Sequence, residues 1–137
     1  MSEQNKAVVR RLIEDHWNAK NHELVSEIFA PTVAFHTPDG ELKGFDGAST
    51  LLQAYATAFP DFRLTIDDIV AEGDKVAFRW TFAGTHRGPL GDIRATGKQV
   101  SVSNCVGIFR LAARKVDEAN LSWNRYALLQ QLGILPA

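Results

Sequence analysis

Cysteine is nearly absent. Cys105 is the only one, so no disulfide can form within the chain. It falls inside an apolar run, where a small core thiol is the default reading. No apolar run approaches the ~20 residues that a membrane-spanning helix needs. The opening MSEQNKAVVRR also lacks the apolar core of a secretory signal. A cytoplasmic protein without a membrane partner is expected. Excess charge of one sign is missing too: 15 Lys and Arg stand against 16 Asp and Glu, for a net charge of −1. With no basic stripe, a nucleic-acid partner lacks its electrostatic footprint. Repeats, linkers and low-complexity tracts are absent, so residues 1–137 are expected to form one domain.

What the chain does have is long alternating strands. In KVAFRWTFAGTH (Lys75 to His86), Val76, Phe78, Trp80 and Phe82 share one face, and Ala77, Arg79, Thr81 and Ala83 the other. That period of two marks a strand with one strongly apolar side. Phe62 to Ala71 reads as the strand before it, with Leu64, Ile66 and Val70 facing one way. Asp68 would share that face if the alternation held, so a bulge is predicted there instead of a buried carboxylate. Val100 to Leu111 and Val116 to Asn124 complete the series. Arg87 to Gln99, rich in glycine and charge, is a long connection of the kind that forms rims or lids.

Helices dominate the first half. Residues 3–20 place Val8, Val9, Leu12, Ile13, His16 and Trp17 at three- and four-residue spacings. Glu23 to Phe29 is a short second helix, ended by Pro31. Thr32 to His36, the turn Thr37-Pro38-Asp39-Gly40 and Glu41 to Gly44 read as a small hairpin. Phe45 to Phe59 is a third helix with Leu51, Leu52, Tyr55 and Phe59 inward, and Arg125 to Leu132 ends the chain as a helical turn or two. Helices first and a meander later is an α+β pattern. It predicts a curved antiparallel sheet wrapped by about three helices into a cone, with a pocket between.

Four stretches carry a resemblance: KAVVRRLIEDHWNAKN, IFAPTVAFHTP, AFPDFRLTIDDIVAEGDKVAFRWTFAGTHRG and WNRYALLQQLG. Together they resemble the SnoaL-like polyketide cyclases of the nuclear transport factor 2-like superfamily, in order and over nearly the whole chain. The resemblance implies the same cone, a small apolar or polyketide-like ligand, no metal and no organic cofactor. It also implies a homodimer packed through the outer sheet face. The cyclases close a ring by an intramolecular aldol step, with an aspartate in the last strand as general acid/base and a histidine on the strand before it. Those positions fall on Leu121 and Gly107 here. The related isomerases' base falls near Thr37, and Trp123-Asn124 stands where many relatives have Trp-Asp. None of these four residues titrates usefully, which opens a second possibility, a non-catalytic binding module.

Among the groups that can move a proton near neutral pH, His36 is the candidate catalytic residue, at the end of the hairpin strand. Trp17, Tyr55, Trp80 and Trp123 offer aromatic walls to a flat ligand. Ser103, Cys105 and Gly107 share the strand face expected to line the cavity, Leu121 is expected to contact the ligand, and His86 and Asn124 are expected as orienting polar groups. Cys105 has no adjacent base that would make it a nucleophile. His16 reads as a core histidine, His22 as a solvated turn residue. Arg79 alternates away from Trp80, so it belongs outside. That weakens an Asp–Arg–Asp, epoxide-hydrolase-like set with Asp68 or Asp117. Asp67 and Asp68, adjacent on a strand, point to opposite faces and cannot serve one centre.

Overall fold

The computed structural model describes residues 2–135; the ends of the expected domain, Met1 and 136–137, lie outside them. Helix α1 (Ser2–Arg11) continues as a π-helical segment, Leu12–Asn18. A 3-10 turn (His22–Leu24) leads to α2 (Val25–Ile28). Strands β1 (Phe29–Thr37) and β2 (Gly40–Lys43) form the hairpin, and α3 (Gly44–Ala58) follows. The meander is β3 (Arg63–Glu72), β4 (Lys75–Thr85), β5 (Gln99–Ala112) and β6 (Lys115–Ser122), closed by α4 (Arg125–Gln131). One six-stranded sheet results, in the order β2-β1-β6-β5-β4-β3.

The α+β architecture matches the sequence reading, with one difference in the sheet. β6 returns to lie beside β1, and that pair is parallel, so the sheet is mixed. The hairpin strand is also longer than expected. It starts at Phe29 and runs through Pro31, which sits where the β1–β6 register shifts between Phe29 and Ala34. A proline without an N–H fits such an interruption of the ladder. No helix among the described residues is long and apolar enough to cross a membrane.

Three bulges shape the sheet. Ile66 pairs with Trp80 and Asp68 with Arg79, so Asp67 is the extra residue in β3. The predicted bulge therefore exists, and Asp68 stays exposed. Beyond it the alternation is inverted: Ile69 and Ala71 pack inward while Val70 is 60% exposed, opposite to its expected face. In β5, Trp80 pairs with Cys105 and Phe82 with Val102, which leaves residues 103 and 104 opposite the single Thr81. Asn104 takes a positive φ of 59° there, a conformation asparagine tolerates better than most residues. In β6 the extra residue is Asp117. The first two bulges flank Trp80–Thr81 from either side, and bulges bend a sheet. The curvature thus centres on Trp80, whose ring faces the helices.

The edge strand β3 is covered by a side chain. The Asn18 amide donates to the Leu64 carbonyl at 2.8 Å and accepts from the Leu64 N–H at 2.7 Å, as a neighbouring strand would. The connection after β4 is pinned at both ends. His86 N–H donates to the Lys98 carbonyl and Gly97 N–H to the His86 carbonyl, while Arg87 and Gly88 N–H both donate to the Ala58 carbonyl. Gly88 passes so close to α3 that a Cβ would stand 2.1 Å from the Thr57 carbonyl oxygen.

Candidate functional site

Between the inner sheet face and the helices lies a cavity. Trp80, Cys105 and Leu121 line it from the sheet, Leu12, Trp17 and Tyr55 from the helical side. Trp123 and Leu128 contribute from the end of the chain. The cavity has a volume of about 50 Å³. One water needs about 10–15 Å³ and several polar partners. The space suffices for more than one water, but the walls offer almost nothing to bond. Such a cavity favours an apolar occupant. Its aromatic walls are held by one another: Trp80 stacks on Phe78 at 5.2 Å, Trp17 leans on Phe62 at 6.0 Å, and Tyr55 meets Trp123 edge-on at 5.6 Å.

The cavity has one polar end. The Tyr55 hydroxyl donates to Asp39 Oδ2 at 2.7 Å, and Arg125 Nη1 donates to Asp39 Oδ1. Burial, then the Asp39 hydrogen bond and charge, push the Tyr55 hydroxyl well above the usual phenol range; Arg125 and Trp123 oppose the shift. Tyr55 is therefore a neutral hydroxyl at any ordinary pH. Beside it, the Trp123 indole N–H is buried and makes no well-formed hydrogen bond; its approach to the Tyr55 hydroxyl is what opposes that group's upward shift. Asp39 and Arg125 keep 33% and 42% of their side-chain surface exposed, so this end lies one residue from solvent.

On the sheet side of the cavity, the two positions that the resemblance implies for an acid/base pair are filled differently. Gly107 and Leu121 are cross-strand partners, facing each other at the positions implied for histidine and aspartate. A Cβ on Gly107 would stand 2.7 Å from Phe78 Cε1 and Cζ and 3.2 Å from Leu121 Cδ2. The Phe78 ring fills the space that a side chain at position 107 would need.

Four of the residues expected at the site lie elsewhere. His36 is on the outer face. Its Nδ1 bonds Glu41 at 2.6 Å and its Nε2 bonds Glu118 at 3.1 Å, and these carboxylates, Glu41 foremost, raise its pKa. It borders a shallow outer groove with Pro38, Val106 and Ile108, not the apolar cavity. Strand alternation explains the correction: Phe35 takes the inward position beside it. Ser103 is exposed because the bulge at 103–104 turns it out. Asn124 caps α4, accepting from the Ala127 N–H at 2.9 Å. Thr37, too, closes its turn, donating from Oγ1 to the Gly40 carbonyl.

His86 is fully buried but does not line the cavity. Its Nδ1 accepts from the Thr96 N–H at 3.1 Å, which puts the proton of the neutral ring on Nε2, an atom with no partner. Burial lowers its pKa, so it stays neutral and anchors the connecting loop. No residue of that loop lines the cavity.

Trp17, Tyr55, Trp80, Cys105, Leu121 and Trp123 are in the cavity lining. The Cys105 thiol donates to the Val102 carbonyl at 3.5 Å, and burial, with the Asp67 charge second, pushes its pKa up to about 11. That is the wrong direction for a nucleophile. Arg79 lies outside, 3.7 Å from Asp67, and Asp117 pairs with Arg110, so neither joins a set around the cavity. His16 is a core histidine, its Nδ1–H donating to the Asn21 carbonyl at 2.8 Å. Among the described residues no group of three or more His, Cys, Asp or Glu is placed to hold a metal ion.

Asp39 and Arg125 were not foreseen. Asp39 reads in sequence as a turn residue and Arg125 as the start of a helix. The two are 86 positions apart, and no spacing rule joins them.

Comparison with solved structures supports the same fold. A SnoaL-like protein from Jannaschia sp. CCS1 superposes with a TM-score of 0.89 at 22% identity, covering 98% of this chain and 95% of that one. AclR, a candidate hydroxylase from Streptomyces galilaeus, gives 0.86 at 30% identity, over 98% and 88%. TsrD from Streptomyces laurentii gives 0.82 at 30% identity, over 94% and 97%. No curated protein matches the sequence. The family model of SnoaL-like polyketide cyclases matches residues 7–132. The chain therefore belongs to the SnoaL-like polyketide cyclase family.

Proposed function

We propose that this chain holds a small, flat, apolar, polyketide-like molecule in the cavity and promotes its ring closure or isomerisation without a cofactor. The observation that carries the reading is the cavity itself: walls rich in aromatic rings, with polar chemistry at one end. Family membership supports a cyclase-type role. A chain of alternating carbonyls is already acidic at carbon, so folding it into a reactive pose can supply much of the rate. Well-oriented intramolecular reactions gain about 7–11 kcal/mol from orientation alone. The Tyr55–Asp39 pair is then the nearest route for a proton, in place of the groups missing at Gly107 and Leu121.

A second reading, ligand binding without turnover, is favoured by one fact. Among the described residues, Tyr55 and Cys105 are the only titratable side chains in the cavity lining. One experiment separates the readings. Tryptophan fluorescence is titrated with naphthalene-sized ligands, and a linear poly-β-ketone is followed for ring formation. Saturable quenching with turnover supports the cyclase, and quenching alone supports the binder. Absence of both would overturn each. Filling the cavity by Cys105→Leu, with the fold checked by circular dichroism, should abolish binding.

We also propose a homodimer through the outer sheet face, where Val106 and Ile108 are 43% and 45% exposed. Sedimentation at low micromolar concentration should give twice the chain mass; a clean monomer would refute it.

A further inference from the structure

At rest the cavity is too small for the ligand proposed above. Its volume is about 50 Å³, whereas pockets for small organic molecules run to about 300–1,000 Å³. A larger space lies just outside. The groove of the outer face, bordered by His36, Thr37, Pro38, Val106 and Ile108, has a volume of about 510 Å³. Among the described residues, only Leu121 and Trp123 border both spaces, and they form the partition between them. The two are held differently. Leu121 lies inside the β5–β6 ladder, opposite Gly107. Trp123 lies past Ser122, the last paired residue of that ladder, and before α4, so neither strand nor helix fixes it. The residue is only partly buried, and its indole N–H makes no well-formed hydrogen bond. Turning the ring toward the groove would give that donor to water, which offsets part of the cost of opening. The helix that follows is anchored at its far end, where Gln131 accepts from the Ser101 N–H at 2.7 Å and donates to the Ser101 carbonyl at 2.9 Å. Its near end is tied to the hairpin turn by Arg125, which donates to Asp39. Asp39 also accepts from Tyr55, whose ring meets Trp123 edge-on at 5.6 Å.

We propose that Trp123 is a gate between groove and cavity, that the ligand enters past it from the outer face, and that the Asp39–Arg125 ion pair latches it shut. With the ring turned out, the two spaces join into one site, and the vacated indole volume adds room for a two-ring molecule. With the ring turned in, only the small apolar cavity is left. The latch is weak by design of its surroundings: both partners are partly exposed, and such pairs hold little. It can therefore release without unfolding the site, while the ladder keeps Leu121 in place and Gln131 keeps the far end of α4 on β5. This inference rests on the reading that the cavity takes the ligand.

Methyl NMR tests it, with xenon and indole as probes and exchange between free and bound signals as the rate. Xenon is a single apolar atom of the kind that dry cavities take up; indole needs the opened wall. The groove shares Val106 and Ile108 with the face proposed for the dimer, so all variants are compared at one chain concentration and oligomeric state. In the native chain xenon should shift the inner methyls of Leu12, Leu121 and Leu128 saturably. Indole should shift the same methyls, with an association rate that levels off as indole is raised, because opening comes first. Arg125→Ala should raise that ceiling about two- to fivefold, the range an exposed ion pair supplies. Trp123→Ala should abolish the ceiling and tighten indole roughly tenfold or more, since a minor open form is populated at only about 0.1–10%. Leu12→Ala is the control. It enlarges the cavity from the helical side without touching the partition, so the ceiling for indole should stay. If Trp123→Ala does not fold, Arg125→Ala decides alone. A native rate that climbs without limit, or a ceiling that Arg125→Ala leaves unmoved, overturns the gate. So does a native chain that never takes up indole while Trp123→Ala does, which makes Trp123 a fixed wall. Failure of both probes to reach the inner methyls in any chain overturns the binding reading beneath it.

Discussion

A side chain at position 107 collides with Phe78 before it reaches the cavity. The contact of 2.7 Å to two ring atoms is closer than packed carbons tolerate, and the ring is itself wedged edge-on against Phe109 at 4.9 Å. Gly107→Ala should therefore destabilise the fold by about 1–3 kcal/mol, the usual cost of overpacking. Denaturant unfolding measures it. Shrinking the ring with Phe78→Ala should make the second change far less costly in the double variant, because the two positions share one space. Equal penalties in both backgrounds would contradict this packing account. The emptied positions 107 and 121 were legible once the family resemblance aligned them. That they face each other was not, since register depends on the bulge at Asp117. The Tyr55–Asp39–Arg125 chain was illegible for a different reason. Its members come from a helix, a turn and a distant helix start, and only the closed fold brings them together.

At the scale of elements, three strands are tied by His36. Its ring on β1 bonds Glu41 on β2 and Glu118 on β6. These carboxylates raise its pKa in the fold, above the unfolded value of about 6.5. The folded state thus binds the proton more tightly than the unfolded one. The stabilisation is complete below about pH 6.5 and disappears as pH rises through the raised folded value. His36→Gln should lower the melting temperature most between pH 5 and 6 and least near pH 9, with the gap narrowing in high salt because the site is partly exposed. A gap that does not change with pH would contradict the ion-paired geometry. Strands were the most legible elements, since Val76, Phe78, Trp80 and Phe82 alternate without interruption. Bulges were legible only where they leave a mark. At Asp67–Asp68 a carboxylate would otherwise be buried. At Ser103–Asn104, two small polar residues in a row fit either face, so the sequence does not betray the extra residue.

For the whole molecule, the division of labour follows the two sheet faces. The inner face carries the aromatic cavity, and the outer face carries the paired charges and exposed Val106 and Ile108. Fold and family were readable from the chain because periodicity and the motif order both run along it. The reaction was not, because this scaffold hosts several chemistries and the positions that the resemblance implies for an acid/base pair carry Gly107 and Leu121. His36 drew attention as the most easily titrated candidate, yet it belongs to the outer face. The central claim is therefore one of location: the ligand sits inside, between Trp80, Leu121 and Tyr55. The most direct test is nuclear Overhauser contacts from bound 1-naphthol to assigned side chains. Contacts to Trp80, Cys105 and Leu121 are predicted. Contacts confined to His36, Val106 and Ile108 would place the site on the other side of the sheet and contradict the account.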